Sequence, residues 1–179
     1  LGTEAGGLSL TDAELDRVTT SNALRIGNTA NSGAINLTAP ITQADSGYDT
    51  LSLRTGGSVV DTSSDTTTDI TVDNLAIQAG GGIGVGVSGD GTALDVRVNN
   101  FAAANTVGTP IAGSDINVSN SQNSATFTVT DVDGVSGVTN TATGAADVTL
   151  VAGSPLTVNS DITSVNNVFL QATEDGTDD

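Results

Sequence analysis

Carboxylates carry almost all the chemistry that this chain could perform. Its 179 residues include 21 Asp and Glu but no Cys, His, Met or Trp, and its only fixed cations are Arg17, Arg25, Arg54 and Arg97. Nucleophile–base pairs generally draw on His, Cys or Lys, and soft-metal sites on His or Cys. What carboxylates can do unaided is hold a hard cation or work as a pair on a glycosidic bond. Calcium, which accepts carboxylate and carbonyl oxygens in flexible geometry, is the cofactor such groups suit. The candidate ligands are Asp131 and Asp133 in one turn, Asp90 near Asp95 in another, and the C-terminal cluster Glu174, Asp175, Asp178 and Asp179.

None of these groups completes a known motif. Asp131-Val132-Asp133-Gly134 starts like a calcium loop, yet an EF-hand needs a third oxygen ligand before the Gly and a Glu six residues after it. Gly89-Asp90-Gly91-Thr92 falls short of the nonapeptide calcium repeat. Asp61, Asp65 and Asp69 recur in a Thr/Ser-rich connection that suits solvated turn residues. Sugar-cleaving carboxylate pairs usually sit in clefts lined with aromatic rings, and this chain has only Tyr48, Phe101, Phe127 and Phe169. An enzyme is not expected. Gly84-Val85-Gly86-Val87-Ser88-Gly89 matches G-x-G-x-x-G, but a dinucleotide site needs a helix to begin at the third Gly. Here the chain runs on into the strand-like Ala93–Val98, so the glycines fit a tightly packed corner.

The elements that must position these groups are β-strands. Period-2 alternation recurs at Ala34–Leu37, Thr50–Leu53, Asp69–Val72, Ala93–Val98, Asp115–Val118, Thr126–Val129, Asp147–Val151, Leu156–Val158 and Val168–Leu170. Gly/Asn/Asp/Ser turns such as Gly27-Asn28, Gly56-Gly57 and Asp133-Gly134 separate them. A degenerate template links Ser32–Leu37, Thr68–Val72, Ser114–Val118 and Ala146–Leu150: a small or acidic residue, then aliphatic, polar, aliphatic. Repeated supersecondary units that each bury an apolar face on the next make a solenoid. Ile35, Leu37, Ile70, Val72, Ile116, Val118, Val148 and Leu150 should point inward, and Asn36, Thr71, Asn117 and Thr149 outward. The fold expected is an all-β, right-handed parallel β-helix, with a β-sandwich as the alternative. At about 22 residues per coil it would have roughly eight coils and a length of about 40 Å. A core almost free of aromatics suits such a thin interior.

Residues 1–22 form a separate N-terminal segment, with the solenoid over 23–179. In that segment Thr11-Asp12-Ala13-Glu14 fits a capping box, which predicts a short helix from Thr11 to near Thr19 capping the first coil. The far end, after Val168–Leu170, has no cap in sequence. Unpaired strand edges must be capped or paired, so copies or tandem modules are expected to meet end to end.

The net charge of −17 argues against nucleic-acid binding, which requires clustered cations. No run reaches the roughly 18 apolar residues of a membrane span. With no initiator Met and both termini falling in polar sequence, the chain reads as a mature product or a segment of a longer protein.

Leu8–Ile26, Gly27 and Ser32–Ile41, together with Asn74–Ile83 and Ala93–Asn105, resemble the repeat units of filamentous-haemagglutinin-like giant bacterial surface proteins. The likeness weakens after Ser119. It implies a parallel β-helix, secretion to the cell surface and repetition within a long polypeptide, and it carries no catalytic residues. The expected role is therefore a structural module of a secreted bacterial surface or extracellular-matrix fibre. An adhesin domain binding carbohydrate or another cell surface is the alternative.

Overall fold

Stacked apolar columns organise the molecule. The computed structural model describes residues 8–43, 47–62, 67–84, 93–108, 110–112, 114–120, 126–153 and 155–173. They form an all-β parallel solenoid of about five turns with one short helix. The coils are longer than the sequence suggested, so there are fewer of them. Successive strands of the longest face begin at Ala23, Thr50, Asn74 and Asn100, steps of 27, 24 and 26 residues. Five ~4.8 Å steps along this face give a height of about 24 Å.

That face stacks Ala23–Asn28, Thr50–Thr55, Asn74–Ala79 and Asn100–Asn105 in parallel register. The last of these strands is followed by two shorter ones side by side, Phe127–Val129 and Val138–Asn140, and these by Leu156–Val158 and Ile162–Ser164. Two inward columns result. One runs Leu24, Leu51, Leu75, Phe101, Val129 and Val158; the other runs Ile26, Leu53, Ile77, Ala103, Val138 and Ile162. A second wall stacks Ile35, Val59, Ile83, Ile116, Val148 and Val168, and a shorter third stacks Ile41, Ile70 and Val96. Seven of the eight expected core positions are buried, and Ile35, in the first coil, is half-buried against the core. The alternate residues Asn36, Thr71, Asn117 and Thr149 are partly exposed. This parity is enforced, because a one-residue slip would exchange the two sets.

The corners are held by polar side chains in line with the stack. Asn28, Thr55, Asn140 and Ser164 each end a strand and accept the N–H two residues on, from Ala30, Gly57, Ala142 and Asn166 respectively. The acidic position of the template has a matching role. Asp69, Asp115 and Asp147 accept backbone N–H groups of the next coil, from Asp95 (3.0 Å), Asp147 (2.8 Å) and Asn167 (2.9 Å). The donors on Gly57, Asp95 and Ala142 are buried, and leaving such a group unpaired costs about 1–3 kcal/mol.

The helix covers Asp12–Leu15, and the Glu14 carboxylate accepts the Thr11 N–H (2.9 Å), one half of the capping box, while the Thr11 hydroxyl also donates to that carboxylate (2.8 Å). It stops four residues before the expected end. Beyond Leu15 the backbone bonds tighten, Arg17 to Glu14 and Val18 to Leu15, and only Leu15 finds a buried site. Asp12 then accepts the Thr42 N–H at 2.7 Å, so the helix satisfies a donor on the edge of the first coil.

Candidate functional site

Asp131 and Asp133 lie in a hairpin that leaves the solenoid altogether. Asp131–Val132 pairs antiparallel with Val135–Ser136 through the two-residue turn Asp133-Gly134. Both turn residues have positive φ, +47° and +79°, the conformation that Asp-Gly favours in a tight hairpin. The hairpin folds back along the outer surface of the long face, where Val132 and Val135 bury against Ala76 and Ala102 with Ala104 beside them. Those alanines are outward residues of their strands. Ala76 and Ala102, like Ser52, are fully buried, which is why the centre of each strand is covered on both sides.

Both ends of this strap are pinned by carboxylates. At its root Asp131 accepts the hydroxyls of Ser136 (2.6 Å) and Ser160 (2.8 Å), which hold its carboxyl below the usual range, Ser136 contributing most. At its tip Asp133 accepts Arg25 Nε at 2.8 Å and Arg54 Nη2 at 2.9 Å. The Arg25 hydrogen bonds lower its acidity range most, against a desolvation that raises it, with Ser52 and Arg54 adding to the lowering. Arg25 and Arg54 belong to the first two coils. The two carboxylates expected to share a calcium ion thus point to opposite ends of the strap, each with its own partners.

Asp95, in Leu94–Arg97, is buried and joined to the corner ladder through its own N–H. Asp90, its expected partner, and Glu174, Asp175, Asp178 and Asp179 lie outside the described residues, as do Asp65, residues 85–89 of the glycine motif and Gly89-Asp90-Gly91-Thr92. Among the described residues no three carboxylates come together as a cation site. Gly84, the first residue of the glycine motif, sits under the next coil, where a Cβ would lie 2.0 Å from the Asn117 carbonyl oxygen. It is a corner packed too closely for any side chain.

Five of the exposed large apolar side chains among the described residues lie at the C-terminal end of the stack. Val168–Ala172 pairs on one side with Val148–Ala152, and no second partner is found among the described residues. Val148 and Leu150 are fully buried, whereas Val168 and Leu170, next in the same columns, are 41% and 47% exposed. Val158, Val165 and Phe169 are exposed beside them. At the opposite end Ala23–Asn28 pairs with Thr50–Thr55, and no second partner is found among the described residues. The sequence gives no sign of the strap, whose ion pair joins residues 108 apart.

The fold and its open ends define a parallel β-solenoid module. No protein-family model matches the chain, and no curated protein or solved structure is significantly similar to it.

Proposed function

We propose that this chain is a structural module of a secreted bacterial surface or extracellular-matrix fibre, of the filamentous-haemagglutinin-like kind, whose copies or tandem repeats stack end to end. The observation that carries the reading is the uncovered last coil. The inward columns run to Val158, Val168 and Leu170, whose apolar side chains are exposed and whose strand edge has no second partner among the described residues. Another parallel coil would continue both the columns and the hydrogen-bond ladder, and the first coil of a second copy offers strands of the same kind at Ala23–Asn28 and Ile35–Leu37. Such a head-to-tail contact is heterologous and generates filaments. The −17 charge opposes it, and added salt, by shortening the screening length, favours it.

The test is sedimentation velocity and negative-stain microscopy across protein and salt concentration. Concentration-dependent rods that lengthen with salt are expected, as is their loss in Leu170→Glu with the melting temperature retained. Monodisperse monomers at high concentration and high salt would overturn the proposal.

A further inference from the structure

A polar groove on the side of the solenoid, about 370 Å³ in volume, crosses three successive coils. One wall is Thr71 and Arg97, stacked in register with Thr42 of the first coil, and Gln43, the residue after Thr42, whose N–H bonds the Thr71 carbonyl. The other is Asp49, Asp73 and Asn99, each one residue before the stacked series Thr50, Asn74 and Asn100. Val72, nearly buried, forms the floor. The groove thus runs along the solenoid axis for about 10 Å, two rungs of ~4.8 Å. It offers a hydroxyl, two carboxamides, two carboxylates and a guanidinium. Asn99 Nδ2 donates to Asp73 Oδ1 at 3.2 Å, fixing two of these groups. Arg97 is exposed and forms no ion pair among the described residues.

The chemistry of the walls narrows the ligand. Backbone N–H groups along the groove are taken up between coils, Gln43 by Thr71, Val72 by Arg97, Asn74 by Asp49 and Asn99 by Asp73. A peptide therefore finds no free edge on which to add a strand. A nucleic acid or other polyanion meets two carboxylates for one guanidinium. An apolar ligand meets only Val72. We infer that the groove binds a neutral saccharide chain lying along the solenoid axis. Its hydroxyls would donate to Asp49 and Asp73 and accept from Arg97 and Asn99, charge-assisted hydrogen bonds that are stronger than neutral ones. This surface lies on the side of the stack, so the inference stands independently of end-to-end assembly.

The test is saturation-transfer NMR followed by calorimetry with tetrasaccharides of glucose (α- and β-linked), xylose, mannose and N-acetylglucosamine, and oligogalacturonate as an anionic comparison. Saturable binding of at least one neutral tetrasaccharide is expected. Arg97→Ala should weaken it about tenfold or more, as for loss of a charged hydrogen bond. Asn99→Ala, which keeps the charge of the groove, should weaken it less, and Leu170→Glu should leave it unchanged. The inference is overturned if no neutral tetrasaccharide binds, if Arg97→Ala binds as well as the parent, or if oligogalacturonate binds tighter in a salt-sensitive manner.

Discussion

Replacing Asp133 by Asn separates the charge of the strap from its shape. Asn-Gly supports the same tight turn as Asp-Gly, so the hairpin geometry should survive while the bonds to Arg25 and Arg54 lose their ionic character. The Asp133 side chain is 4% exposed, and that of Arg25 is 52% exposed. A hydrogen bond to a charged group contributes about 1.5–3 kcal/mol, and solvent screening around the half-exposed guanidinium reduces this toward the surface-pair range. A cost of about 1–2 kcal/mol follows for Asp133→Asn, a fall of roughly 2–8 °C in melting temperature for a chain of this size. Its distribution is more telling than its sum. Coils of a solenoid touch only their neighbours, so the first coil of an unstrapped stack would open alone. Asp133 instead ties Arg25, in the first coil, to a hairpin that emerges from a strand four rungs away. Native-state hydrogen exchange should show protection of Ala23–Asn28 falling about 5–30-fold in the variant, while Asn74–Ala79 changes less. Equal losses in both strands, or none in the first, would refute the strap's role as a tie along the axis.

Three further outcomes follow from the same structure. Ile116→Ala removes a fully buried column member and should cost about 2–4 kcal/mol in denaturant unfolding. Gly84→Ala should be far more damaging than Gly134→Ala, because an added Cβ meets the Asn117 carbonyl in the first and open space in the second; Gly134→Ala should cost only the ~1–2 kcal/mol of a left-handed residue, and thermal melts of the pair decide it. Asp131 and Asp133 have carboxyls lowered in the folded chain, so their stabilisation is complete above the unfolded value of about 4 and disappears as pH falls through the folded values below it. Acid titrations followed by circular dichroism should therefore show a shallower acid limb for Asp133→Asn than for the parent.

The parts of the fold legible in the sequence were those where one residue's parity decides burial. The runs around Ile70, Ile116 and Val148 alternate cleanly because their outward neighbours meet water. The strands Asn74–Ala79 and Asn100–Asn105 do not, since Ala76 and Ala102 lie under the strap and are as buried as their inward neighbours. Without those strands the template marks only some coils and fixes no repeat length, and the expected coil of about 22 residues, shorter than the observed 24–27, made the count too high. The acidic start of the template was visible, but not its reason, the acceptance of an N–H from the coil beyond. The recurrent Asn, Thr or Ser at 28, 55, 140 and 164 is a signal of the corners that coil-length spacing could have found. The partners of Asp133 had no local signal, because the hairpin reaches them across the stack and not along the chain.

The strap also limits how this chain can evolve. Solenoids readily gain and lose coils by duplication and deletion, since a new coil meets neighbours like itself. Here a coil inserted between Arg54 and Thr130 would move the arginines about 4.8 Å from the hairpin tip, beyond hydrogen-bond reach. A deleted coil would drive the tip past them. The hairpin therefore acts as a ruler that fixes the number of coils beneath it, while coils added after Ser164 leave it undisturbed. Lineages of this module should vary in length at the C-terminal end and in corner loops, and hold the count constant under the strap.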